Sequence, residues 1–181
     1  MPIRTDVIND LFARLGGALQ KPTRLCLIGS TPAIAIGQKE RQTSDIDIWF
    51  PKSGYDTGDL ARACRETGVL LDPINELDPD KIYLQIIRPG IIRLPAEFEP
   101  EIIGVFGNLT VLMPPPELLA ASKLVRGNEV DVQDVVWWIN RRRMDAAEIM
   151  AAIRGLPREA DRETAGENML YVNLVLGRLP K

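Results

Sequence analysis

Asp45 and Asp47 stand one residue apart in the run DIDIWF, each followed by an isoleucine. Alternation along a strand turns the two carboxylates to one face and Ile46 and Ile48 to the other. Same-face neighbours lie about 6.5–7 Å apart, from a rise of roughly 3.3 Å per residue. Two negative charges at that separation repel by about 0.6 kcal/mol in water and about 2.5 kcal/mol at an effective dielectric near ~20. A solvated pair therefore costs little, whereas a pair in a cleft needs positive charge to answer it. Mg²⁺ answers it well, because it takes carboxylate oxygens and keeps positions for water and substrate phosphates. Mn²⁺ would serve in the same way. The competing readings are a solvated sheet edge and an ion-pair partner for Lys39 or Arg41.

Upstream, Gly29-Ser30 closes the apolar run RLCLIG and leads directly into TPAIAIG. Thr31 can cap a short helix there, Pro32 fits its first turn and Gly37 stops it. A strand that ends in Gly-Ser before a helix start offers backbone N–H groups and a hydroxyl, on which a phosphate can rest. A plain tight turn explains the same glycine. No Gly-Lys-Ser/Thr follows Gly29, so the turn is not a P-loop.

The elements that must position these residues follow from hydrophobic spacing. RTDVINDLFARLGGAL reads as a helix capped by Thr5 or Asp6, with Gly16-Gly17 weakening its end. RLCLIG is a buried strand, GQKERQTS a polar loop, and DIDIWF a strand ended by Pro51. TGDLARACRETG is a helix with Leu60, Ala63 and Cys64 inward, and VLLD a short strand. KIYLQIIRPG, IIRLP, EIIGVFG and LTVLM are β-rich runs split by proline and glycine. From Pro114 onward the pattern is helical, with four helices through PPPELLAASKLVRG, VDVQDVVWWINRRR, DAAEIMAAIRG and RETAGENMLYVNLVLGRL. The expected fold is α/β (α+β): a small mixed sheet over residues 1–113 and a helical C-terminal part over residues 114–181, packed as one unit. The Gly29-Ser30 turn and the aspartate pair should meet within the sheet part.

Composition limits the chemistry. The chain has 181 residues, 45 % apolar, with a formal net charge of -3. That is enough for a real core and too acidic for a general nucleic-acid coat. The complete lack of histidine excludes Ser-His triads, His zinc sites and His acid–base catalysis. Cys26 and Cys64 have no metal spacing and read as buried, reduced thiols. No leader pattern and no apolar run of spanning length is present, so a cytoplasmic protein without membrane contact is expected.

Two features lie in the helical part. Lys123 and Arg126 share a helical face, as do Asp131 and Asp134 on the next helix, across the Gly127-Asn128 turn. An inter-helix ion cluster is the plain reading. Arg141, Arg142 and Arg143 end their helix, where cations suit the dipole or could touch phosphate. One of Trp137 and Trp138 should be buried and the other partly exposed. The last helix is apolar on more than one side, which suits packing on the helical part or on a second subunit.

The order of motifs resembles the nucleotidyltransferase superfamily, the DNA polymerase β-like fold. IGS, then fourteen residues, then DID fits its signature, and RQTSDIDIWF is similar to the form found in small prokaryotic members. LLAASKLVRGNEVDVQDVVWWI resembles a second segment of bacterial families that include abortive-infection toxins. The likeness covers roughly residues 24 to 140. It implies that Asp45 and Asp47 hold Mg²⁺ on an NTP and Gly29 and Ser30 hold its phosphates, with Ser44 as a supporting residue. Lys123 or Arg126 would neutralise nucleotide charge, with Asp131 and Asp134 anchoring them. It further implies an RNA, protein or small-molecule acceptor and a toxin–antitoxin or phage-defence setting with an antitoxin partner or a homo-oligomer. The superfamily's third carboxylate falls on a later strand, where YLQII places Gln85. Gln can neither carry charge for a second metal nor act as a base, and Asp72, Asp80, Glu97 and Glu99 are the other candidates. A catalytically inactive binding module is the alternative function. A haloacid-dehalogenase-like phosphatase fits poorly, since polar KERQTS precedes the first aspartate instead of an apolar strand.

Overall fold

Strand-period and helix-period runs alternate along the first half of the chain and give way to helices alone after Pro115. A computed structural model describes residues 4–43, 45–73, 81–95 and 97–177. The chain divides into two compact units, Met1–Arg88 with Pro100–Pro114, and Pro89–Glu99 with Pro115–Lys181.

In the first unit, β2 (Asp45–Trp49), β4 (Tyr83–Ile87) and β3 (Leu70–Leu71) form a parallel sheet in the order β2-β4-β3. A second sheet runs β1-β6-β5: β1 (Thr23–Cys26) lies parallel to β6 (Leu109–Met113), and β6 lies antiparallel to β5 (Glu101–Phe106). The chain just after β1 joins the two sheets. Leu27 bridges Ile48 in antiparallel sense, and the Ile28 N–H donates to the Asp47 carbonyl at 2.9 Å. A 3₁₀ turn, Phe50–Lys52, interrupts further pairing along β1, and the Ser53 hydroxyl fills the gap. It accepts from the Cys26 N–H at 2.9 Å and donates to the Trp49 carbonyl at 2.8 Å.

Helices α1 (Thr5–Ala18) and α3 (Thr57–Thr67) supply the core beneath these strands. Ile8, Leu11, Phe12 and Leu15 of α1 and Leu60, Ala63 and Cys64 of α3 join one buried cluster with Leu25, Ile46, Ile48, Leu84, Ile86 and Val111. Each such side chain contributes about 1.5–3 kcal/mol when fully buried. Cys26 and Cys64 are both free and buried. Gly16 and Gly17 lie in the last turn of α1, which continues to Ala18. A Cβ on Gly16 would lie 1.7 Å from the Phe106 carbonyl oxygen, so this glycine serves the close passage of helix against strand. Neither Thr5 nor Asp6 caps α1: Arg4 is the N-cap, without a side-chain bond.

Four helices make up most of the second unit: α4 (Pro116–Arg126), α5 (Glu129–Arg142), α6 (Ala146–Arg154) and α7 (Glu159–Val175). The starts of α5 and α6 are set by capping side chains. Asn128 accepts from the Asp131 N–H to cap α5, and Asp145 with Glu148 forms a capping box on α6. Trp138 is buried and Trp137 partly exposed, with ring centroids 5.0 Å apart edge to face. The run IIRLP, read as β-rich, forms no strand; it contributes one isolated bridge, Pro89–Ile92, and belongs to this unit. Prolines at 89 and 95 remove ladder donors on both sides of it. On α7, Met169 and Val172 are buried while Leu170, Tyr171, Leu174 and Val175 are more than half exposed. Among the described residues, no helix is long and apolar enough to cross a membrane.

Candidate functional site

The site candidate lies where β2 passes the turn after β1. Ile46 and Ile48 are fully buried on the helix side of the sheet, and Asp45 and Asp47 turn to the opposite, half-exposed face. Gly29 adopts φ +70°, a conformation that favours glycine, and a Cβ there would stand 2.6 Å from Asp47 Oδ2. The turn therefore needs glycine twice, for its backbone angle and for the carboxylate pressed against it. Ser30 precedes the five-residue helix α2 (Thr31–Ala35) and makes no capping bond with its side chain.

Asp45 is held by two hydroxyls. Thr31 Oγ1 donates to the Asp45 backbone carbonyl at 3.3 Å, from the first residue of α2. Thr43 Oγ1 donates to Asp45 Oδ1, and the Asp45 N–H points back to the same hydroxyl at 3.4 Å. Sequence spacing gave Thr31 a different task, that of a cap, and did not single out Thr43. The available signal was a hydroxyl two residues before a strand-opening carboxylate, a local pattern that such side chains favour. Ser44, expected as a supporting residue, lies outside the described residues.

Gln85 pairs in register with Asp47 on the adjoining strand, and Tyr83 with Asp45. Lateral partners in a sheet share a face, so the Gln85 side chain emerges beside Asp47. Its neighbour on the other side is Asp72, just past β3. Asp72 has φ +44° and accepts the Ile86 N–H at 3.2 Å, replacing the next ladder carbonyl on the side of β4 away from β2. Glu97 and Glu99 belong to the second unit, and Asp80 lies outside the described residues. Among the described residues no group of three or more His, Cys, Asp or Glu could hold a metal. Asp45 and Asp47 are the two carboxylates of this strand face among the described residues.

In the second unit the four charged residues do come together. Lys123 Nζ lies 2.7 Å from Asp134 Oδ2 and 3.8 Å from Asp131 Oδ1. Arg126 grips Asp131 with two parallel bonds, Nε to Oδ2 at 2.5 Å and one terminal NH₂ to Oδ1 at 2.6 Å. Lys123, Asp131 and Asp134 are buried, whereas the Arg126 side chain is 68 % exposed. Two cations meet two anions, so the cluster is neutral as a whole. Buried charges need that balance, and the bidentate geometry is the strong form of it.

Two small sheets, joined where a Gly-Ser turn meets an Asp-x-Asp strand and followed along the chain by helices, have the plan of a nucleotidyltransferase-like protein. The chain belongs to a family described as nucleotidyltransferases of unknown function (DUF6036), whose family model matches residues 6–154. That span includes both the turn with its carboxylates and the Lys123–Asp134 cluster; all of α7 lies beyond it. No curated protein and no solved structure matches the chain significantly.

Proposed function

We propose that this chain transfers a nucleoside monophosphate from an NTP to a hydroxyl of an RNA, a protein or a small molecule in the cytoplasm. The supporting observation is the approach of the Gly29 backbone to Asp47 Oδ2, with no side chain between them. Two carboxylates on one strand face are the donor set of one hard divalent cation whose remaining ligands are phosphate oxygens and water. Asp45 and Asp47 would hold it, and Gly29 and Ser30 would receive the phosphates. When bound, Mg²⁺ or Mn²⁺ supplies the positive charge that the transferring phosphoryl group requires. The acceptor hydroxyl oxygen forms a bond to the α-phosphorus, the bond to the β-phosphate oxygen breaks, and pyrophosphate leaves. The hydroxyl proton passes to water, since the Gln85 amide beside Asp47 is no base. Positioning and charge carry most of such a reaction. Arg126, the exposed member of its cluster, is the residue proposed to meet nucleotide charge, with Lys123, Asp131 and Asp134 holding it. A toxin–antitoxin or phage-defence setting, with an antitoxin partner or a homo-oligomer, is part of the proposal and rests on the sequence resemblance alone.

Gln85 in register with Asp47 favours a second reading, a module that binds nucleotide without transferring it. Incubation with each α-labelled NTP, Mg²⁺ and total cell lysate separates the two. Label that becomes attached to RNA, protein or a small molecule with wild type, and not with Asp45→Asn/Asp47→Asn, supports transfer. Binding of NTP without attached label supports the module.

A further inference from the structure

We infer that Thr43 is the positioning residue that orients Asp45 towards a divalent cation, an inference that rests on the nucleotide–metal reading of this face. A carboxylate on a strand rotates about two side-chain bonds, and its neighbour Asp47 repels it whenever both are ionised. Something must stop Asp45 from swinging out to water. Thr43 does so from two residues away. Its hydroxyl donates to Asp45 Oδ1 and lies 3.4 Å from the Asp45 backbone N–H, so one oxygen is tied to the carboxylate and to the main chain that carries it. This bond takes one lone pair of Oδ1 and limits the rotation of the carboxylate. Asp45 then serves as a donor with a set direction.

The strand itself is fixed independently. Thr31 Oγ1 holds the Asp45 carbonyl from the start of α2, and the Ile28 N–H holds the Asp47 carbonyl. Thr31 is fully buried and Thr43 is half-exposed at the entry to β2. The two threonines therefore have separable tasks: Thr31 joins the Gly-Ser turn to the strand, and Thr43 aims the side chain. Hydrogen bonds to a metal-ligating carboxylate typically carry a 10–100-fold share of metal affinity.

The test compares wild type, Thr43→Val, Thr43→Ser and Asp47→Asn. Mn²⁺ alone is titrated by loss of the free-ion electron paramagnetic resonance signal, and thermal shift is read with Mn²⁺ plus each of the four common NTPs. Metal-free Tm is recorded for every variant. The expected result is Mn²⁺ affinity about 10–100-fold weaker in Thr43→Val, near wild type in Thr43→Ser, with metal-free Tm close to wild type in both. Equal affinity in wild type and Thr43→Val overturns the role of Thr43 and leaves the nucleotide–metal reading standing. A metal-free Tm that falls with the affinity, with Thr43→Ser no better than Thr43→Val, also overturns it, because the hydroxyl is then structural only. Wild type that takes up no Mn²⁺, with or without any NTP, overturns the underlying reading together with this one.

Discussion

Replacing Gly29 with alanine is the sharpest perturbation of the candidate site, because two separate costs can be read from one position. The backbone cost comes from φ +70°: a left-handed residue with a Cβ is strained by about 1–2 kcal/mol. For a chain of this size that lowers Tm by roughly 2–8 °C. The second cost falls on the carboxylate. The new methyl group would stand 2.6 Å from Asp47 Oδ2, where ordinary contact begins at 3.4 Å, so the oxygen must retreat by about 0.8 Å. Asp47 is the movable partner, since its carboxylate is the end of a side chain and Gly29 is backbone. A displacement near 1 Å can cost on the order of 10²-fold in a reaction that depends on position. Thermal unfolding without metal measures the backbone cost together with the cost of displacing the carboxylate, and the shift in Tm on adding Mn²⁺ and NTP, with label transfer where it occurs, measures the effect on the site. The same substitution in an Asp47→Ala background removes the collision and keeps the backbone strain, so the two should be non-additive. Gly29→Ala that responds to Mn²⁺ and NTP as wild type does would refute the placement of Asp47 as a ligand. An equal loss of stability with and without the Asp47 carboxylate would refute the collision itself.

Three further outcomes are expected. Gln85→Asp or Gln85→Glu should raise label transfer by up to 10²–10⁴-fold, the usual range for general-base help, because it restores a carboxylate beside Asp47; an unchanged rate in a folded variant counts against this strand as the third position. Lys123→Met should destabilise by about 3–5 kcal/mol in denaturant titration, because it takes from buried Asp134 an ammonium 2.7 Å away, and Lys123→Met/Asp134→Leu should recover most of that loss; additive losses would deny the pair. Asp59 is held below the ordinary carboxylate range first by its Arg62 hydrogen bond and then by the N–H groups of Lys21 and Gln20. Its contribution to stability is therefore complete above the unfolded value near ~3.9 and is lost as pH falls through the lower folded value. Asp59→Asn should flatten stability against pH in that acid window, measured by urea titration, and an unchanged slope would remove Asp59 from the account.

What could be read beforehand was whatever a short window of sequence decides. The alternation of DIDI set the faces of β2, because period two leaves an isoleucine no other side to take once its neighbour faces water. The glycine that closes RLCLIG marked a turn because few other residues reach that backbone angle. The charged cluster in the helical part was visible as two pairs at helical spacing with a turn between. What escaped was set by contacts distant in sequence. Gly16 read only as a weak point near the helix end, and the passage of Phe106 explains why a glycine is needed there. Thr31 has a capping side chain but stands one residue inside the helix, after Ser30, and its hydroxyl goes to the Asp45 carbonyl, fourteen residues on. IIRLP has strand-forming residues but no neighbour that pairs with it beyond one bridge. In each case propensity was right about the residue type and silent about the partner.

The pairing of β1 with β6 also bears on how the protein is made. Cys26 faces Leu112 in that ladder, 86 residues further along the chain. At about 5–20 residues per second, the ribosome needs roughly 4–17 s to deliver the second strand after the first. During that interval β1 can take up its antiparallel partners near Ile48 and Gly54, but its other edge has no partner from its own chain. Residues Pro89–Glu99, which belong with the later helices, emerge before β5 and β6 complete the first unit. The nascent chain therefore carries an open strand edge of apolar sequence past the point where half of the protein has been synthesised. Pausing or chaperone contact before residue 113 should affect yield more than the same delay afterwards.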